Sequence, residues 1–181
     1  MKRQSGFTLV EALITLAVAS ILASMAIPSF KSVIQNDRLV SQSNDLLGAM
    51  TYARNLAITA NVNATVCISS DLATCSGSNW ALGWIVCQEA DNASTGCATG
   101  NSLARVFPAL SGSNTLTNAS NLKTLTFAPN GALTTGNGLY FDLCDSRGAK
   151  YGRAIYIYPA GQARVSQTIG KQMNGTTDLT C

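Results

Sequence analysis

The order of apolar and polar residues divides the chain into a long helical part and a β-rich remainder. An apolar stretch runs from Phe7 to Ile27, directly after a basic start that contains Lys2 and Arg3. As a helix rising about 1.5 Å per residue, this stretch would span roughly 30 Å, the thickness of the hydrocarbon core of a bilayer. The basic flank predicts that the N-terminus lies on the cytoplasmic side.

The helical pattern continues beyond Pro28 to about Ala60. Pro28 lacks an amide hydrogen, so we expect it to kink or locally melt the helix. Two neighbouring apolar stripes form a wide face that a globular domain can cover. They consist of Val33, Val40, Leu47 and Met50, and of Leu39, Leu46, Ala53 and Leu56. The charged residues are mostly predicted on the solvated side; they are Lys31, Asp37, Arg38, Asp45 and Arg54.

From Asn63 onward, short alternating runs separated by turn-forming residues predict strands. The predicted strands are Ala64–Ser69, Ala81–Gln88, Ser102–Phe107, Lys123–Ala128, Gly138–Cys144 and Arg153–Tyr158. The segment Ser111–Asn121 is predicted to be a loop, and we expect Trp80, Trp84, Phe107 and Phe127 to be core aromatics. The pattern therefore predicts an α+β fold with a membrane-length helix over 7–28, its amphipathic continuation over 29–62 and a β-rich head over 63–181.

Composition narrows the function classes. Of 181 residues, 46% are hydrophobic and 12% charged, and the net charge of +3 is too small to imply a nucleic-acid partner by itself. The chain has no histidine, which removes the commonest metal ligand and the histidine-based catalytic triads. Carboxylates, lysines and cysteines are not grouped either. We therefore expect no enzymatic activity, no metal and no cofactor.

The six cysteines all follow the apolar stretch, in the part that would lie outside the cytoplasm. No CxxC spacing occurs, so disulfides are favoured over metal ligation. Sequence alone leaves the pairing open. We prefer the pairing in which each bond closes a local loop: Cys67 with Cys75, Cys87 with Cys97, and Cys144 with Cys181.

A single carboxylate, Glu11, interrupts the apolar stretch. A charge at that depth costs on the order of 2.5–3.5 kcal/mol, so it calls for a function and a partner. The segment Gly6-Phe7-Thr8-Leu9-Val10-Glu11 resembles the cleavage motif of type IV prepilins, and Pro28 falls where pilins commonly have a kinking proline. The resemblance implies that prepilin peptidase removes the leader 1–6 by cutting between Gly6 and Phe7, and that the new N-terminus is methylated. It also implies that Glu11 pairs with the Phe7 amine of a neighbouring subunit during assembly, a pairing that can set filament register.

The head resembles the GspH/FimT/FimU family of minor pilins and pseudopilins. The segments that carry this resemblance are Tyr52-Ala53-Arg54, Val66-Cys67, Gly83-Trp84-Ile85-Val86, Leu125-Thr126-Phe127-Ala128-Pro129-Asn130-Gly131 and Gly152-Arg153-Ala154-Ile155-Tyr156-Ile157. The family implies a long N-terminal helix packed on a head of two mostly antiparallel sheets. It also implies a minor pilin of the initiating or tip complex, in contact with other minor and major pilins, which supports pilus assembly, twitching motility and DNA uptake. Such a subunit is held in the inner membrane with its head in the periplasm before assembly, and lies in the pilus afterwards. A pseudopilin of type II secretion is the less favoured reading.

A further resemblance concerns DNA. Some FimT-like proteins bind DNA through a Gly-Arg-x-Arg motif, and the matching stretch here is Gly161-Gln162-Ala163-Arg164, with glutamine in place of the first arginine. From Arg147 to Lys171 there are basic residues and tyrosines but no acidic residue. The DNA-binding residues implied are Lys150, Arg153, Gly161, Arg164 and Lys171. The alternative is that these are solubilising charges on ordinary strands, and both interpretations stay open.

Overall fold

The computed structural model describes residues 7–89, 97 and 102–181, and shows the predicted α+β fold. The predicted leader 1–6, including Gly6, lies outside the described residues. The chain divides into two compact units, one ending at Asp37 and the other running from Arg38 to Cys181. Helix α1 spans Leu9–Ala60. The strands are β1 (Ala64–Ile68), β2 (Trp84–Gln88), β3 (Ser102–Phe107), β4 (Thr115–Asn118), β5 (Thr124–Phe127), β6 (Leu139–Cys144), β7 (Arg153–Ile157) and β8 (Ala163–Val165).

The strands form two antiparallel four-stranded sheets. One has the order β3-β2-β1-β5 and the other the order β4-β6-β7-β8. In the second sheet, the strand register places Tyr156 of β7 opposite Tyr140 of β6 and opposite Arg164 of β8. Because side chains alternate between the faces of a strand, these three side chains share one face, opposite the face that carries Ile155 and Ile157.

The larger hydrophobic core among the described residues joins both sheets and the part of α1 within the second unit. A smaller buried cluster consists of Cys67, Ile85, Cys87 and Cys97. The four aromatics predicted as core residues are all buried. The helix contributes Leu39, Leu46, Met50 and Ala53 from the predicted stripes, together with Ala49 and Ala57. Val33 and Val40 were predicted on the same face but are exposed. The buried stripe is therefore narrower than predicted, and it includes two polar residues, Gln42 and Ser43.

Two other predictions were wrong in detail. The segment Ser111–Asn121 contains β4 rather than only a loop, because Leu116 and Asn118 turn inward as β4 pairs with β6. The strand predicted to begin at Ala81 begins at Trp84, since Trp80–Leu82 forms a 3-10 turn. That turn ends at Gly83, whose positive φ of 113° favours glycine.

Helix α1 continues unbroken through Pro28, so local melting, one of the two effects expected of this proline, is not observed. Proline removes only one amide donor, and the turns on either side can keep their own hydrogen bonds.

Candidate functional site

The N-terminal end of α1 carries the first candidate site. Thr8 caps the helix, because its hydroxyl oxygen accepts from the Glu11 amide at 3.3 Å and its carbonyl accepts from the Ala12 amide at 3.1 Å. Glu11 therefore lies in the first turn, where the helix dipole favours a negative charge. All residues from 7 to 30 are exposed within the chain itself. By length and composition, this helix is apolar enough to cross a membrane.

The hydroxyl side chains of this apolar segment are satisfied within the helix. Thr15, Ser20 and Ser24 each donate to the carbonyl three residues earlier, at 2.7–2.8 Å. Such bonds let hydroxyl groups enter an apolar environment at low cost. By contrast, the carboxylate of Glu11 makes no hydrogen bond or ion pair with any residue that the structure describes. Among the described residues of this segment, Glu11 thus carries a charged group that the helix itself does not satisfy.

The basic residues near the C-terminus do not form one continuous positive surface. Lys171 donates to Asp178 in a 2.6 Å ion pair, and Arg147 pairs with Asp145 at 2.6 Å. Asp145 and Asp178 both lie outside the segment 147–171, which contains no acidic residue. Folding therefore places negative charges next to basic residues of that segment. Although burial opposes ionisation of Asp145, hydrogen bonds and the charge from Arg147 hold its pKa below the usual range.

The other three basic residues of the predicted DNA site point in different directions. Arg153 alternates in phase with Ile155, whose side chain enters the core, so it leaves the sheet on the opposite face from Arg164. Lys150 is exposed on a separate 3-10 turn, Ala149–Tyr151. Arg164 is exposed on β8, with its guanidinium 5.9 Å from the centre of the Tyr158 ring. Of the predicted residues, Arg164 is therefore the one that is exposed beside an aromatic ring.

Gly161, the other matched residue of the motif, has a packing role. Its φ of +78° is left-handed, and a Cβ at this position would overlap the carbonyl oxygen of Gly131 and lie 3.1 Å from Arg54 Cδ. Only glycine fits where the turn at 159–161 meets the turn at 129–131. The match at Gly161 is therefore explained by the fold and does not by itself indicate a ligand.

The structure adds Arg54, a residue that sequence reasoning placed on the solvated side of the helix. It is half-buried, and its Nε donates to the Gly131 carbonyl oxygen at 3.1 Å. Arg54 and Arg164 both line a surface cavity of about 300 Å³. They are 110 positions apart in the sequence, so no local pattern could reveal this proximity.

Tyrosines extend along the same face of the sheet as Arg164. The rings of Tyr140 and Tyr156 lie 4.3 Å apart between centres, and Tyr156 and Tyr158 lie 4.6 Å apart at 80°. Aromatic rings in this arrangement stabilise one another and present partly exposed faces.

Three disulfides link Cys67 to Cys75, Cys87 to Cys97 and Cys144 to Cys181, the pairing preferred from sequence. The sulfurs of Cys67, Cys75 and Cys97 lie close enough together to suggest a metal cluster. Each is already committed to a disulfide, however, so no thiolate is available for a metal.

An apolar N-terminal helix with an embedded carboxylate, followed by a disulfide-bonded head of two antiparallel sheets, defines the class of pilin-like proteins. A family model described as "Type II transport protein GspH" matches residues 42–161, and one described as "Prokaryotic N-terminal methylation motif" matches residues 1–27. The chain belongs to the GspH family, whose members are structural pilin or pseudopilin subunits and not a known family of enzymes.

Two crystal structures of one minor pilin show the same fold. The type IV minor pilin FimU of Pseudomonas aeruginosa PAO1 aligns with a TM-score of 0.59 at 20% identity, over 74% of this chain and 96% of that one. A second crystal form of FimU gives a TM-score of 0.56 at 21% identity, over 70% and 90%. The minor pseudopilin EpsH from the Type 2 Secretion System of Vibrio cholerae gives 0.49 at 12% identity, over 71% and 95%. No curated protein matches the chain.

Proposed function

We propose that this chain is a minor type IV pilin, a structural subunit of the initiating or tip complex of a pilus. It is held in the inner membrane with its head in the periplasm, processed by prepilin peptidase between Gly6 and Phe7, and then packed by its helix among minor and major pilins. Through that role it supports pilus assembly, twitching motility and DNA uptake.

The observation that carries the proposal is the state of Glu11. The hydroxyls of Thr15, Ser20 and Ser24 are satisfied within the helix, whereas the Glu11 carboxylate has no partner among the described residues. A carboxylate that becomes buried in a membrane or among neighbouring subunits is stable only when it is paired and hydrogen-bonded. Cleavage would create a cation, the amine of Phe7, four residues away in sequence. Pairing with the Phe7 amine of a neighbouring subunit would satisfy Glu11 and fix the stagger between the two helices.

The test is Glu11→Ala in the full-length chain, with Ser20→Ala as the matched control. Breaking a buried ion pair costs about 3–5 kcal/mol, so incorporation into sheared pili should fall at least about tenfold. Ser20→Ala removes a hydroxyl that already bonds within the helix, so that variant should be incorporated normally. Immunoblots of the sheared fraction measure incorporation, and mass spectrometry of the membrane fraction should show leader cleavage in both variants. Normal incorporation of Glu11→Ala would refute the assembly mechanism.

A subunit of a type II secretion pseudopilus would use Glu11 in the same way. Two experiments separate this function from that of a pilus subunit: recovery of the protein with sheared pili, and the effect of its deletion on protein secretion.

A second candidate function, DNA retention by the head, is favoured by Arg164. Its guanidinium is exposed, forms no ion pair with any described residue, and lies next to the Tyr158 ring. An exposed cation beside aromatic rings suits the phosphates and bases of a nucleic acid. Arg164→Glu should abolish DNA retention by the piliated cell and leave incorporation into pili unchanged. Unchanged retention would exclude this function.

A further inference from the structure

Arg164 separates two adjacent cavities on the surface of the head. The first, of about 300 Å³, is lined by Thr51, Arg54, Gly161, Gln162, Ala163 and Arg164. The second, of about 330 Å³, is lined by Arg164, Val165, Ser166, Gln167, Thr168, Met173, Asn174 and Gly175. Neither lining contains a carboxylate. Because Arg164 lines both cavities, they are adjacent, and together they are hereafter called the Arg164 groove.

Two guanidinium groups face this groove without a counter-charge. The Nε of Arg54 is fixed by its bond to the Gly131 carbonyl oxygen, which orients the guanidinium plane. The terminal nitrogens of Arg54, and the whole guanidinium of Arg164, make no hydrogen bond or ion pair with any residue the structure describes. Two like charges lining one small cavity repel each other, and a bound oxyanion would convert that repulsion into charge-assisted hydrogen bonds.

We propose that Arg54 and Arg164 together clamp phosphodiester groups of a nucleic-acid strand in the Arg164 groove. In this arrangement Arg54, from helix α1, supplies the guanidinium that Gln162 cannot supply. The inference rests on the second function proposed above, and it names a residue and a groove that the linear motif does not contain.

The shape and lining of the groove favour a chain of phosphates over an acidic polypeptide. The second cavity, which shares Arg164 with the first, has hydroxyl and amide side chains among its lining residues, and these suit a sugar–phosphate backbone. On the face that Arg164 shares, Tyr140 and Tyr156 offer rings on which bases can stack. An acidic polypeptide would make no use of those rings.

The experiment measures binding of a fluorescein-labelled oligothymidylate, and of a labelled duplex, to the full-length protein in detergent micelles by fluorescence anisotropy across a salt series. Arg54→Gln and Arg164→Gln should each weaken binding about tenfold, and each should reduce the slope of log K against log salt by about 1. Lys150→Gln removes an exposed charge outside the groove and is the matched control. It should change the affinity less than about twofold.

Two further variants separate binding from folding. Arg54→Lys keeps the positive charge and should retain the wild-type salt slope. Thr51→Glu leaves both arginines in place but adds a carboxylate to the first cavity, and it should weaken binding about as much as Arg54→Gln. Unfolding followed by tryptophan fluorescence verifies that each variant is folded.

The outcomes are distinct. Equal losses in Lys150→Gln and the two arginine variants, or unchanged binding in both Arg54→Gln and Thr51→Glu, would overturn the clamp. Competition by polyglutamate as strong as by unlabelled DNA would overturn the phosphodiester assignment in favour of an acidic protein partner. No binding by the wild type would overturn both the clamp and the DNA-retention function. The assembly role would still be judged separately by incorporation into pili.

Discussion

Replacing Cys144 and Cys181 together by alanine should destabilise the head by about 4 kcal/mol. The bond joins positions separated by 37 residues, the longest separation of the three disulfides. In the chain-entropy treatment, the loss grows with the logarithm of the loop that the bond closes. The pair Cys67–Cys75 has a separation of 8 residues, so its removal should cost only about 2.5 kcal/mol.

The Cys144–Cys181 bond also holds the C-terminal tail on the outer face of the second sheet. In that tail Leu179 is buried against Gly152, where a Cβ would lie 2.8 Å from Leu179 Cδ1. The amide of Thr180 donates to Asp142 Oδ2 at 2.9 Å. Release of Cys181 would free the tail to leave these contacts. The loss therefore includes packing as well as chain entropy.

The two variant pairs can be compared by chemical denaturation of the full chain in detergent. Both tryptophans, Trp80 and Trp84, are buried in the head, so their fluorescence reports its unfolding and not that of the N-terminal segment. In both pairs the strand cysteine, Cys67 or Cys144, is fully buried, so the loss of its sulfur affects both variants similarly. A loss of about 4 kcal/mol corresponds to a fall in melting temperature of about 8–16 °C. A smaller loss for Cys144/Cys181 than for Cys67/Cys75 would refute the loop-length reasoning.

Two further predictions concern single residues of the head. Gly161→Ala would place an alanine in a left-handed backbone conformation, with its Cβ overlapping the Gly131 carbonyl oxygen, so it should lower the free energy of unfolding by about 1–3 kcal/mol or more. Gly136→Ala is the control: Gly136 has the same type of φ but open space around it, so the loss should be smaller. Equal losses of the two variants on denaturation would contradict the packing argument. Burial raises the pKa of Asp142 above its ordinary value of 3.8. At neutral pH the ionised carboxylate therefore destabilises the fold. This destabilisation is lost as the pH falls through the folded pKa towards the unfolded pKa. Asp142→Asn keeps an oxygen for the Thr180 amide and should therefore be at least as stable as wild type at pH 7, with the difference shrinking near pH 4. Thermal melts at the two pH values measure this, and a variant less stable than wild type at pH 7 would show that the Asp142 charge is stabilising.

The local sequence was sufficient to predict those features that depend on a single secondary-structure element. The apolar stretch, the carboxylate at Glu11 and the helix extending to Ala60 follow from a continuous helical period, because hydrophobic spacing depends only on neighbours along the chain. The preference for pairing cysteines that are neighbours along the chain also agreed with the structure, although sequence alone left the pairing open. Strands β4 and β8 were missed because they are short edge strands. What makes them strands is the partner beside them, not their own pattern.

The sequence by itself therefore indicated the class of protein, which the family match shows, and it predicted the chemistry of the N-terminus. Only the tertiary structure decided which charges of the head are free. It pairs Lys171 with Asp178 and brings Arg54 into the same cavity as Arg164. These relations join residues on different elements, and the strength of a charge interaction depends on distance in space and on burial rather than on separation along the chain.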